Sequence, residues 1–311
     1  MKKLSPEEYA GMFSDDCAQP EGKGTVYLSE REDFLLPRRK TKTHKYSYGR
    51  ALLIAGSTGF SGAPVLAANA CERSGAGLTR LIVPESIYVI AASRCDGAVV
   101  QPAPADESGR MTDKALDSIL PHLSRADACA IGPGLGTGEA AAAIVEAVLR
   151  QASCPVVLDA DALTVCGTRL SLLSLCRAPV ILTPHEGEFR RLGGDLSSGR
   201  PAGALAFTEA HKNTILILKG FGTLISSGAE ITVNPTGSPA LAKGGSGDVL
   251  CGLLCALLAQ GFDPFFSARC AVWLHGLAGD LASAENGEYS VTPSDLIRFL
   301  PRAFRSLCHN P

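Results

Sequence analysis

Between Lys243 and Leu250 the chain reads Lys-Gly-Gly-Ser-Gly-Asp-Val-Leu, and an apolar run to Leu258 follows directly. Gly244, Gly245 and Gly247 let the backbone turn sharply and approach a ligand with no Cβ in the way. The run after them is expected to be helical. Several N–H groups without intrahelical partners then converge at its N-terminus, forming an anion site around Gly245, Ser246 and Gly247. Asp248 falls in the first helical turn, where a carboxylate suits the helix dipole when no ligand is bound. Beside an anionic phosphate it is better explained as a base. A glycine-rich turn with an ordinary helix cap is the plainer reading, and the rest of the chain has to decide.

The elements that must position this loop can be read from apolar runs. Ala51–Ala55 ends in Gly56-Ser57-Thr58-Gly59-Phe60-Ser61-Gly62 and precedes an expected helix from Ala63 to Arg73: strand, loop, helix. Further strands are expected at 78–83, 128–131, 156–158, 180–182 and 214–218. Continuous apolar strands alternating with helices imply an α/β fold, a mainly parallel central sheet with helices on both faces. Residues 223–226 and 231–233, joined across Ser227-Gly228-Ala229-Glu230, read as a hairpin. Helices are expected over 248–260, 264–284 and 293–307, with Pro264 and Pro293 suited to first turns. Residues 1–45 are polar and carry a basic cluster (Arg38, Arg39, Lys40, Lys42, Lys45), so they read as an N-terminal extension to one domain over 46–311.

Composition narrows the partners. A net charge of -2, from 29 basic and 31 acidic residues, gives no field of one sign for nucleic acid or an anionic membrane. The start lacks the apolar core of a signal peptide, and no run of about twenty apolar residues could cross a bilayer. Eleven cysteines, scattered from Cys17 to Cys308 without a C-x-x-C pair, look like a reduced, cytoplasmic thiol set.

Ligand sites in open parallel sheets gather outside the carboxyl ends of the strands. Those ends carry Gly132-Pro133-Gly134-Leu135-Gly136, Asp159-Ala160-Asp161, Thr183-Pro184-His185-Glu186-Gly187-Glu188 and Lys219-Gly220-Phe221-Gly222-Thr223. None of the loops reads G-x-G-x-x-G straight after a first strand, and G-x-x-x-x-G-K-[ST] is absent, so the phosphate site is neither a Rossmann nor a Walker loop. Asp159, Asp161 and Glu188 can hold water or Mg²⁺ near phosphates, with helix capping the alternative for Asp161 and for His185. Lys243 can add a positive charge near phosphate. His275, in an apolar helix, is expected to be a satisfied core histidine.

A late glycine loop with an Asp at the helix start resembles the anion hole of the ribokinase-like superfamily. Taken with His44-Lys45, Ser74-Gly75-Ala76-Gly77-Leu78, Asp159 to Leu163, Thr183-Pro184-His185, Lys219-Gly220 and His275 to Asp280, the set resembles the ADP- or ATP-dependent NAD(P)H-hydrate dehydratases. The resemblance spans roughly His44 to Leu300. Ser238, Ala240 and Lys243 depart from residues common in that family. It implies repair of NADHX and NADPHX, the hydrates of NADH and NADPH, using ADP or ATP and Mg²⁺, through a transient phosphorylated hydrate. It further implies that Ala63, Gly136, His185 and Asp248 contact the hydrate. Lys219, Gly220, Phe221, Gly222, Thr223, Gly245, Ser246 and Gly247 would contact the nucleotide. A cytoplasmic homo-oligomer, a tetramer, is implied as well. The family's epimerase domain, often fused at the N-terminus, has no counterpart in the lead-in, so the stand-alone form is expected. The rival reading is a ribokinase-like small-molecule kinase whose product keeps its phosphate.

Overall fold

The computed structural model describes residues 1–13, 25–167, 169–228 and 230–308. Cys17 and Ala229, both used above, lie outside them. The strands are β1 (Lys2–Leu4), β2 (Val26–Leu28), β3 (Arg50–Ile54), β4 (Leu78–Pro84), β5 (Val99–Ala103), β6 (Ala128–Ile131), β7 (Val156–Leu158), β8 (Val180–Leu182), β9 (Thr214–Leu218), β10 (Leu224–Ser226) and β11 (Ile231–Val233). The helices are α1 (Pro6–Phe13), α2 (Gly62–Arg73), α3 (Tyr88–Arg94), α4 (Leu116–Leu123), α5 (Glu139–Gln151), α6 (Asp161–Gly167), α7 (Glu186–Arg191), α8 (Arg200–Ala210), α9 (Ser246–Ala259), α10 (Pro264–Asn286) and α11 (Pro293–Leu307).

All the strands join one 11-stranded sheet in the order β1-β2-β11-β10-β9-β8-β7-β6-β3-β4-β5. From β9 to β5 every neighbouring pair is parallel, whereas β9–β10, β10–β11 and β1–β2 are antiparallel. The expected α/β architecture is thus present. Residues 2–4 and 26–28, within the segment read from sequence as an extension, build the outer edge of this sheet, with β2 parallel to β11. Strands of three residues carry too little periodicity to be found in a sequence.

Side-chain alternation sets the layers. On β3, Ala51 and Leu53 belong to the core beneath α2, α9, α10 and α11, while Leu52 and Ile54 belong to the core beneath α4, α5 and α6. Strands buried on both faces are apolar throughout, which is why β3, β6 and β9 were legible as runs. α9 is buried from Val249 to Ala259. Burying a Leu or Val side chain is worth about 1.5–3 kcal/mol, so core packing holds α9 in place far more firmly than helix propensity could. α2 crosses it so closely that a Cβ on Gly252 would run into the Ala67 backbone.

The chain leaves β3 for β4 and β5 on one side, then returns to place β6 on the other. This reversal opens a crevice at the carboxyl ends of β3 and β6. The two loops there are tied together: Gly56 N–H donates to Pro133 O at 2.8 Å, and Ser57 Oγ to Gly134 O at 2.8 Å.

Candidate functional site

Gly245 caps α9 in the left-handed region, φ +95°, and a Cβ there would meet Leu66 Cδ1 at 2.8 Å and Pro293 Cγ at 2.9 Å. Glycine is required on both counts. The loop is thereby pressed between α2 and α11, and the first-turn amides of α9, those of Ser246 and Gly247 among them, have no carbonyl of their own helix to donate to. Behind the loop, His275 of α10 is buried and its Nε2 lies 2.9 Å from Ser246 O. Burial holds the His275 pKa down at about 4, so the ring is neutral at pH 7 and Nε2–H is the donor. This is the expected satisfied histidine, and it also positions the site by pinning the carbonyl that starts α9.

Opposite the α9 loop stand the ends of β7, β8 and β9. Lys219 N–H donates to Pro184 O at 2.8 Å, and a bridge between His185 and Lys219 carries the β8–β9 ladder past the strands. Lys219 Nζ therefore points across to Asp159 Oδ1 at 3.3 Å and Glu188 Oε2 at 3.8 Å. Burial disfavours the Lys219 charge, but Asp159 and Glu188 outweigh that cost and hold its pKa above the ordinary value. Lys219 stays cationic, and a Cβ on Gly247 would sit 3.5 Å from its Nζ.

Asp248 completes the group. Burial first, then the negative charge of Asp159, push its pKa up to about 7, against the opposing pull of Lys219. A carboxyl that titrates near the working pH, at a helix start that favours anions, is suited to general base catalysis.

The acidic residues expected to support Mg²⁺ also make contacts within the protein. Asp159 is buried and also accepts from Thr183 Oγ1 at 2.7 Å. Asp161 Oδ2 accepts the Gly136 N–H at 2.8 Å and so holds the Gly132–Gly136 loop. Ala160 between them has φ +48°, a conformation costly for a residue with a Cβ, and it aims the two carboxylates at different partners. Glu188 accepts the His185 N–H at 2.8 Å while His185 Nδ1 accepts the Glu188 N–H at 3.2 Å. His185 thus caps α7, as its plainer reading held. Among the described residues no three His, Cys, Asp or Glu side chains form a metal cage. Lys243 Nζ donates to Tyr289 O at 2.7 Å and Val291 O at 2.5 Å, while the residue lines the cavity next to Ser246 and Gly247.

A cavity of about 670 Å³ opens between these elements, lined by His185, Lys219 to Thr223, Ser246 and Gly247 together with Asn234 to Pro239. The residues assigned to the nucleotide thus share one cavity, Gly245 excepted, and His185 lies on it with them. Ala63, Gly136 and Asp248 do not line it. Ala63 sits in the first turn of α2 and Gly136 in the loop tied to β3.

Residues 51–302 match the family model described as NAD(P)H-hydrate dehydratase. The chain belongs to this family. It is 37% identical over 276 residues to the bifunctional NAD(P)H-hydrate repair enzyme of Moorella thermoacetica, covering 88% of this chain and 52% of the relative. The corresponding enzyme of Gloeobacter violaceus is 41% identical over 249 residues, covering 80% and 48%. The chain therefore spans about half the length of the curated relatives it matches. Among solved structures, the ADP/ATP-dependent NAD(P)H-hydrate dehydratase of Bacillus subtilis, co-crystallised with ATP and Mg²⁺, superposes with a TM-score of 0.74 at 32% identity, covering 91% of this chain and 99% of that one. A ribokinase-like superfamily protein of Enterococcus faecalis gives 0.80 at 27% identity, covering 92% and 97%.

Three contributors to the candidate site escaped the sequence reading. Phe13 of α1 lines the cavity and packs on Phe221, ring centroids 5.8 Å apart. Arg200 holds the 219–223 loop by donating to Phe221 O at 2.6 Å and Leu218 O at 3.2 Å. Thr183 orients Asp159. For Thr183 a signal existed, its place in Thr183-Pro184-His185; for Phe13 and Arg200 there was none.

Proposed function

We propose that this chain catalyses the nucleotide-dependent dehydration of the S-epimer of NADH hydrate and NADPH hydrate, regenerating NADH and NADPH. The observation that carries the reading is Asp248: a carboxyl held near pKa 7 at the mouth of an anion-binding helix start, beside a lysine that stays charged. Nucleotide lies in the cavity along Lys219 to Thr223, with its terminal phosphate toward the Gly245–Gly247 amides. The hydrate lies on the crevice side, against Ala63, Gly136, His185 and Asp248.

Asp248 accepts the proton of the ring hydroxyl as its oxygen attacks phosphorus, while the α9 amides and Lys219 stabilise charge on the phosphoryl oxygens. A bond forms from the hydroxyl oxygen to phosphorus and the bond to the departing nucleotide breaks. The reduced ring nitrogen then pushes its lone pair inward and expels phosphate, and loss of a proton from the neighbouring carbon restores the ring double bond. No protein nucleophile is needed. Asp159, Asp161 and Glu188 would support Mg²⁺ near the nucleotide phosphates, where the ion would neutralise phosphate charge.

The domain is taken to run over 46–311 in a cytoplasmic homo-oligomer, a tetramer. Ten free cysteines among the described residues support a reducing compartment, and the exposed Val89, Ile90 and Val99 near the β5 edge offer apolar contact area. The test is synthetic NADH hydrate with Mg²⁺ and ADP or ATP: absorbance of the reduced ring should return only with nucleotide present. No return with either nucleotide would overturn the reading.

A further inference from the structure

A second cavity, about 510 Å³, opens at the opposite end of the sheet, where β3 and β4 begin. β3 has five residues, so about 17 Å of strand separates this end from the crevice. Its chemistry is one-sided. Arg50, Arg80, Arg125 and His122 line it with Tyr46 over a floor that includes Leu52 and Leu78, and no Asp or Glu does.

The three guanidiniums are poorly matched. Among the described residues none forms an ion pair with a carboxylate. Arg50 Nη1 donates to Arg125 O at 3.1 Å, and Arg80 Nη1 to Gln101 Oε1 at 3.0 Å. Each guanidinium carries five N–H donors, and most have no protein acceptor among the described residues. Asp127, the nearby carboxylate, accepts the Arg50 backbone N–H at 2.8 Å. Arg50 is also held 4.9 Å over the Tyr46 ring, which fixes its fork. Like charges gathered around one cavity repel one another, and an anion between them removes that repulsion. Burial, then the charges of Arg80 and Arg125, lower the His122 pKa.

We infer that this cavity is a second anion site, separate from the α9 loop, that takes the diphosphate group of a small phosphorylated metabolite. Arginine forks bind phosphate oxygens in pairs, and three of them around one cavity match two linked phosphates better than one. The volume lies within the range of small-molecule sites, about 300–1,000 Å³, leaving room for an organic group beside Tyr46. Free pyrophosphate and a nucleoside diphosphate share the recognised chemistry, and the experiment separates them.

Isothermal titration of the full chain with ADP, and with inorganic pyrophosphate after ADP saturation, is compared with an Arg80→Gln/Arg125→Gln variant at equal ionic strength. If the site takes free pyrophosphate, binding persists under saturating ADP and weakens at least tenfold in the variant. If it takes nucleotide, the chain binds two ADP and the variant one. The ADP retained in the 670 Å³ cavity shows that the variant is folded; if it is lost, each single substitution replaces the pair. One ADP per chain with no residual pyrophosphate binding would overturn the proposal. So would second-site binding unchanged in the variant. Neither result bears on the dehydration reaction, which uses the other end of the sheet.

Discussion

At Asp248 the proposed chemistry depends on one proton. Asp248→Asn keeps the size and polarity of the side chain but cannot accept that proton, so turnover should fall at least about 100-fold, the usual weight of a positioned base. ADP affinity, measured by titration, should stay within about twofold; a residual rate above about a tenth would remove Asp248 from the role. The acid limb of kcat/KM should lie near pH 7, since the free chain must hold Asp248 ionised. Asp159→Asn should move that limb to lower pH, because it removes a negative charge that raises the Asp248 pKa and leaves Lys219 to lower it. Stability runs the other way. The folded chain keeps a proton on Asp248 up to about pH 7 that the unfolded chain releases at the ordinary carboxylate value. This carboxyl therefore destabilises the fold increasingly as pH rises between the two. Asp248→Asn should raise Tm at pH 8 and leave it nearly unchanged at pH 4; an equal or lower Tm at pH 8 would contradict the account. The base and its glycines were legible because their types and spacing are short-range facts. That Asp159 faces Lys219, which faces Glu188, was not: those residues meet only across three strands.

At the level of elements, the loop before α9 works because two glycines do different things. Gly245 answers to backbone geometry and to Leu66 and Pro293, so Gly245→Ala should lower Tm and shift the anion loop. Gly247 faces Lys219 with ordinary room, so Gly247→Val should fold, yet weaken nucleotide binding by intruding where phosphate approaches. Unchanged affinity would mean that the loop faces elsewhere. Farther along the helix, Gly252→Ala forces α9 off the Ala67 backbone and should cost about 1–3 kcal/mol by overpacking, read from denaturant midpoints. β3, β6, β7, β8 and β9 were predicted from apolar runs within a residue of their observed ends. β5 was missed: Val99-Val100-Gln101-Pro102-Ala103 is broken by Gln101 and Pro102, which an edge strand tolerates.

For the whole molecule, the N-terminal segment is the main gain from the structure. It closes the sheet edge through β1 and β2 and sends Phe13 into the 670 Å³ cavity. An aromatic pair is worth about 0.5–1.5 kcal/mol beyond its burial, so Phe13→Ala should weaken ADP binding roughly two- to tenfold without touching the Asp248 pH limb. No charge, cap or period marked that residue, because its role arises only when the chain's start packs against Phe221. Phosphorylation here is held to make a leaving group and not a product, and everything proposed for Asp248 depends on that. Phosphorus NMR of a reaction with NADH hydrate, ATP and Mg²⁺, with absorbance of the reduced ring followed in the same sample, tests it directly. Inorganic phosphate, ADP and NADH should appear in equal amounts, with no lasting phosphomonoester. A persistent phosphomonoester of the acceptor, with no recovery of NADH, would contradict the account and favour a kinase.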